Sequence, residues 1–297
     1  MKFRANILLL LAATIWGFAF VAQRVGMDFI GPYTYNGVRF ALGSFSLVPL
    51  ILYFRANSRS TGYIGTAGIS SWRIGLLAGV ILFVAASLQQ IGLIYTTAGK
   101  AAFVTALYIV LVPLTGVFLK QYINISTWLG SIFAVAGLYL LCVKEDFTIG
   151  YGDLLELIGA CFWTAHILLI DHFSQKVDSL QLAFFQFITC SLLSIGTALL
   201  LETVSLNGIV QASIPILYGG LCSVGIAYTL QIIGQKYASP SHAAIILSME
   251  TVFAAIGGYL LLNELLGLQE LLGCVLMMAG MLLAQLQSFK PQQTVNY

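Results

Sequence analysis

The chain predicts an all-α membrane protein, ten transmembrane helices arranged as two inverted five-helix repeats, and three observations carry that expectation. Of its residues 59% are hydrophobic and 8% charged, against about 25% charged in a soluble domain. Its mean hydropathy is +0.95, and apolar runs long enough to cross roughly 30 Å of hydrocarbon recur with short breaks. The chain also echoes itself. A shift of 142 positions lays Tyr237 on Tyr95, Ala243-Ala244 on Ala101-Ala102, Glu250 on Tyr108 and Gly258 on Gly116.

The runs fall near 5–23, 33–54, 74–95, 101–119, 125–143, 154–172, 180–201, 213–234, 243–262 and 269–287. Met1-Lys2-Phe3-Arg4 opens the first, which continues to about Ala22 without a small-residue cleavage site, so it reads as an uncleaved span. Breaks near Thr96–Lys100, Lys120–Asn124 and Asn263–Leu268 are so short that their neighbours form antiparallel hairpins. The longest break, Arg55 to Arg73, ends in Ser70-Ser71-Trp72-Arg73, a cap and interfacial anchor for the third helix. Pro240 and Asn263-Glu264 punctuate the ninth.

Basic residues orient the bundle. With the N-terminus in the cytoplasm, nine fall inside (Lys2, Arg4, Arg55, Arg59, Arg73, Lys120, Lys176, Lys236, Lys290) and three outside (Arg24, Lys100, Lys144), which predicts a cell (inner) membrane protein with both termini cytoplasmic. Five helices per half is an odd number, so the second half enters from the opposite face. The repeats, 5–143 and 151–287, are therefore inverted; Trp16 falls on Trp163 at an offset of 147, and Trp128-Leu129-Gly130 on Leu271-Leu272-Gly273 at 143. Inverted halves can exchange conformations and open one site to each side in turn, as secondary transporters do.

Glu250, inside an apolar helix, is the first candidate site residue. A charge at bilayer depth costs about 2.5 kcal/mol or more, so such an acid faces a cavity or a partner, where it takes up a proton or meets a cationic group. Arg39, some two turns into the second helix, offers a planar fork for a substrate carboxylate or for Glu250, or else it snorkels to the nearer interface. Among the glutamines within apolar runs, Gln90 and Gln231 lie near corresponding places in the two halves, where they coordinate a solute or join helices by hydrogen bonds. Trp16, Trp163 and Tyr108 suit a cavity wall as well as a core. His166, with Asp171-His172 nearby, is a relay candidate or a packing histidine, and His242 reads as a loop residue. Glycines spaced as in Gly75-x-x-x-Gly79 let helices approach closely, and the fifth and tenth helices, poor in polar groups, look peripheral or dimer-forming.

Trp16-Gly17-Phe18-Ala19-Phe20-Val21, Arg39-Phe40, Gly152-Asp153, Trp163-Thr164-Ala165, Leu262-Asn263-Glu264, Gly273 and Ala279-Gly280 together resemble the EamA-type family of the drug/metabolite transporter superfamily. The resemblance spans the chain as two tandem units. It departs where Lys120-Gln121-Tyr122 replaces the glutamate of the family pattern in the first unit, and where Thr251 follows Glu250 in place of a proline common in the family. What it implies is a ten-helix exporter or importer of small metabolites, often amino acids or related solutes, with a central cavity between the halves; export and a monomeric or homodimeric assembly are the expectation.

Other classes fit poorly. No phosphate loop is present, Gly99-Lys100-Ala101 having the wrong spacing for an ATP-driven pump. Gly150-Tyr151-Gly152-Asp153 spells the G-x-G-D of intramembrane aspartyl proteases, but Asp171 would stand about 27 Å along the helix from Asp153, too far for two carboxylates to share a proton. Asp153 reads instead as a helix cap. The five cysteines lie in apolar runs without a C-x-x-C pair, so neither zinc nor a disulfide framework is expected, no cofactor is implied, and scattered basic residues give no nucleic-acid stripe. The expectation is a transporter and not an enzyme, with a small solute and the lipid bilayer as partners; a non-transporting membrane protein or an intramembrane enzyme is the alternative.

Overall fold

The computed structural model describes residues 2–58, 70–118, 125–142 and 149–285. Arg59, Lys120, Lys144 and Lys290 of the orientation argument, and the Lys120-Gln121-Tyr122 departure, lie outside them. The main helical rods are α1 (Lys2–Gly26), α2 (Pro32–Ser58), α3 (Ser71–Tyr95), α4 (Ala98–Gly116), α5 (Ile125–Cys142), α6 (Tyr151–Ser174), α7 (Ser179–Leu201), α8 (Ser213–Gln235), α9 (Pro240–Leu262) and α10 (Leu268–Gln285). Eight of them, all but α5 and α10, are long and apolar enough to cross a membrane. α5 and α10 have 18 residues each, about 27 Å at 1.5 Å per residue, and their apolar runs are shorter still, Trp128–Gly137 and Leu271–Gly280.

Helices prevail here because in lipid every backbone amide and carbonyl must find its partner within its own segment. The outside is correspondingly apolar: Leu200 is 85% and Ile214 80% exposed, surface that suits acyl chains and not water. The result is a multi-pass membrane protein.

The packed pairs have an order of their own. α2 packs on α7 and α8, α3 on α6 and α7, α1 on α8 and α9, α4 on α6 and α9, and α5 on α10. Exchanging α1–α5 with α6–α10 turns this set of pairs into itself. The two peripheral helices α5 and α10 pair with each other within one chain.

Three rods are irregular at mid-length, which hydropathy alone hides. α4 breaks after Thr105 and resumes at Tyr108; α9 breaks after Leu247 and resumes at Glu250. In each break an amide reaches back three residues, Leu107 N to Val104 O and Met249 N to Ile246 O, both at 3.1 Å. Pro113 removes one amide from the ladder of α4. In α9 hydroxyls compete for carbonyls, Ser248 Oγ donating to Ile245 O at 2.6 Å and Thr251 Oγ1 to Ser248 O at 2.9 Å. α8 winds as a π-helix over Tyr218–Tyr228, a geometry that often marks functional sites.

Candidate functional site

A cavity of about 40 Å³ lies where α1, α2, α3, α4, α6, α8 and α9 converge, room for a few waters. Five pairs of its lining residues match across the two halves: Trp16 with Trp163, Phe20 with Ile167, Gln89 with Gln231, Thr105 with Leu247, and Tyr108 with Glu250. Gln23, Arg39, Ser223 and Tyr228 complete the polar and aromatic wall.

Glu250 begins the second half of α9 and is 5% exposed. The Tyr108 hydroxyl donates to its Oε1 at 2.9 Å, so two residues 142 apart in sequence are bonded across the centre of the bundle. Gly17 makes this possible. A methyl added there would overlap Phe253 Cβ and lie 2.7 Å from the Glu250 carbonyl oxygen, so only a glycine lets α1 press on the broken turn that carries the acid.

Arg39 is 2% exposed and does not snorkel. Its Nε donates to Asn36 Oδ1 at 2.9 Å, Asn36 is held in turn by Ala86 O at 3.0 Å, and the guanidinium rests 4.9 Å from the centre of the Phe40 ring. Ion pairs among the described residues join Arg24 to Asp28 and Lys100 to Asp153. Arg39 and Glu250 therefore share the cavity without forming the ion pair raised above. The aromatic wall is fixed similarly: Trp16 Nε1 donates to the Ser223 carbonyl in the π-helical stretch at 3.2 Å, and Trp16 and Trp163 lie 4.6 and 6.2 Å from Tyr228, ring centre to ring centre.

Six of the eight expected site residues thus meet on one cavity: Trp16, Arg39, Tyr108, Trp163, Gln231 and Glu250. Gln90 does not. Its Nε2 donates to the Gln23 carbonyl at 3.2 Å, whereas Gln89 faces the cavity and bonds Gln23 Oε1 at 3.3 Å. Neighbours on a helix point about 100° apart, and Gln89 is the residue that stands 142 before Gln231. His166 lies behind the cavity wall, fully buried, with Nε2 3.0 Å from Gln186 Oε1 and its ring edge-on to Trp163. His242 sits in the first turn of α9, not in a loop, and reaches Asn6 Oδ1 at 3.0 Å.

Asp153 does not cap α6. It lies inside the first turn and holds α4, accepting Lys100 Nζ at 2.8 Å and the Thr96 hydroxyl at 3.0 Å. Glu156, one turn further on, is a buried acid that the sequence reading did not single out. It is 0% exposed, and its Oε2 accepts the hydroxyl of the cavity residue Thr105 at 2.9 Å. The signal was the i,i+3 spacing of two acids, which puts both on one helix face.

This end of the bundle is rich in acids. A vestibule of about 630 Å³ opens there, lined by Arg24, Asp28, Thr96, Lys100 and Glu264 among others. Glu264 accepts the Ala98 and Gly99 amides at 3.0 and 3.3 Å, and Glu202 accepts the Tyr33 and Thr34 amides, both at 2.8 Å. Both carboxylates occupy helix N-termini, where free amides and the helix dipole favour negative charge.

The EamA-like transporter family model matches the chain twice, over residues 3–143 and 150–286. The chain belongs to this family. An Archaeoglobus fulgidus protein named an uncharacterized transporter is 30% identical over 285 residues, covering 95% of this chain and 86% of that one. Bacillus subtilis YoaV, also named an uncharacterized transporter, is 23% identical over 275 residues, covering 90% of this chain and 91% of its own. A solved crystal structure superposes with a TM-score of 0.71 at 17% identity, covering 95% and 96% of the two chains, a likeness of fold. In this EamA-like chain the Leu262-Asn263-Glu264 motif has a visible mechanical part. Asn263 ends α9 in the left-handed region at φ 53°, and the turn delivers the Glu264 carboxylate to the start of α4.

Proposed function

We propose that this EamA-like protein is a secondary transporter that moves small metabolites, amino acids or related solutes, out across the cell membrane by alternating access. The observation that carries this reading is the cavity between the halves, lined by matched residues and bridged by Tyr108 and Glu250. The packed pairs that survive exchange of α1–α5 with α6–α10, and the twofold family match, support two inverted five-helix repeats at 5–143 and 151–287, with α5 and α10 as the ninth and tenth spans. In this reading the termini are cytoplasmic and the acid-rich face is external.

Discontinuous helices meeting at mid-depth suit a solute site, because their broken turns free polar backbone and let half-helices tilt. A space of about 40 Å³ is too small for an amino acid, so loading requires the halves to part. Arg39 then offers its two terminal nitrogens to a solute carboxylate, Glu250 faces a cationic group or takes a proton, and Trp16, Trp163 and Tyr228 enclose the apolar part. A panel of labelled amino acids and metabolites, offered to proteoliposomes carrying the protein, tests the reading. Saturable uptake of at least one member is expected; no uptake of any amino acid or related solute by folded protein overturns the substrate class.

The two glutamines separate site from scaffold. Gln231→Leu weakens solute affinity by about tenfold through one lost hydrogen bond and leaves thermal stability near wild type. Gln90→Leu breaks the bond to α1 instead, lowering the melting temperature while the KM stays within about twofold. Measured KM and melting curves of the two variants check this.

A further inference from the structure

Glu156 lies between two spaces that no side chain yet described connects. On one side is the vestibule with Lys100 at its wall; on the other is the cavity with Thr105 at its wall. Asp153 pairs with Lys100, and Glu156, on the same face of α6, bonds Thr105. The second carboxyl oxygen, Oε1, is fully buried and has no hydrogen-bond partner among the described residues. A methyl added to Gly92 would come within 2.7 Å of it, so the backbone of α3 closes the carboxyl in.

The groups around it define its charge state. α6 contributes Asp153 and, almost three turns beyond Glu156, His166; α4 contributes Lys100, already paired to Asp153, and Tyr108; α9 contributes Glu250, which is bonded to Tyr108. α3 has its one basic residue, Arg73, at the opposite end, and α8 offers Tyr228. No ion pair reaches Glu156 among the described residues. An ionised carboxylate here would be a buried charge without a counter-charge, which costs far more than one unmade hydrogen bond.

We propose that Glu156 is a second proton-binding site of the transporter, standing between vestibule and cavity, and that it exchanges its proton with the vestibule when the Lys100–Asp153 contact opens. Oε1 holds the proton while Oε2 keeps the Thr105 hydroxyl. On opening, water entering from the vestibule takes the proton as hydronium and leaves a carboxylate; the reverse step reloads it. The proposal rests on the transport reading for its purpose, and its test does not need a solute.

The test is infrared spectroscopy of the reconstituted full chain, wild type and Glu156→Gln, reading the carbonyl stretch of protonated carboxyls at neutral pH. The wild type shows a band that Glu156→Gln lacks, that Thr105→Val shifts in frequency by removing its hydrogen bond, and that exchanges with deuterium about tenfold faster in Asp153→Asn, where the barrier is weakened. A purely structural protonated glutamate shares the band and its Thr105→Val shift, but its exchange rate is indifferent to Asp153→Asn, and that outcome also overturns the proposal. Identical carboxyl bands in wild type and Glu156→Gln, or a band indifferent to Thr105→Val, overturns the proposal. Should the band behave as expected in a protein that transports nothing, the proton site stands and the transport reading falls. If uptake proceeds and no band is lost, the reverse holds.

Discussion

Proteoliposomes carrying Glu250→Gln lose uphill accumulation of solute and keep downhill exchange. Gln imitates the protonated acid in shape and neutrality, so it still accepts the Tyr108 hydroxyl that reaches Oε1 at 2.9 Å in the wild type. What it cannot do is release a proton. Uptake driven by an imposed proton gradient therefore falls by at least about tenfold, the effect of about 1.4 kcal/mol of lost coupling, and the pH dependence of exchange flattens. The measurement is counterflow and gradient-driven uptake in parallel across the neutral pH range. If both match wild type, Glu250 is a structural acid that holds Tyr108 and nothing more.

Arg39→Lys raises the KM for an anionic or zwitterionic solute by about 10- to 100-fold. The guanidinium is held by Asn36 through Nε and lies over the Phe40 ring, which orients its planar fork into the cavity. Lysine keeps the charge but loses the fork, the Asn36 tether and the stacking, and charge-assisted bonds of this kind are worth about 1.5–3 kcal/mol. Equal KM values for Arg39→Lys and wild type would mean that the charge alone matters and that no two-donor contact is made. Arg39→Ala removes charge and packing together, so its loss is larger than that of Arg39→Lys.

The membrane class and the places of the long helices were legible because hydrophobic runs and their punctuation are local. Pro240 sits at the first turn of α9, as its type suggests, and Ser70 stands at the N-cap of α3 without a side-chain capping bond. Most of the cavity was also legible, through a different route. An acid and an arginine inside apolar runs are costly enough to demand a reason, and the 142-residue echo linked Tyr108 to Glu250 before any geometry did. What stayed hidden depends on rotation about a helix axis or on partners distant in sequence. Gln89 and Gln90 are both polar and adjacent, and only packing against α1 decides which faces the cavity. Glu156 lies close to a predicted helix end and so resembled a surface acid; that α3 and α4 bury it is a tertiary fact. The breaks at Ala106-Leu107 and Ser248-Met249 leave no mark on hydropathy, since the residues on either side remain apolar or small.

Alternating access makes a demand that can be met without knowing the solute. A single cysteine at Gln231, in a chain whose five native cysteines are replaced, is exposed to a membrane-impermeant maleimide from either side of oriented vesicles. The account predicts labelling from both faces, and predicts that bridging Lys100→Cys to Asp153→Cys with a short bifunctional thiol reagent stops labelling from the acid-rich face alone. Labelling from one face only without that bridge, or from both faces with it, would contradict it.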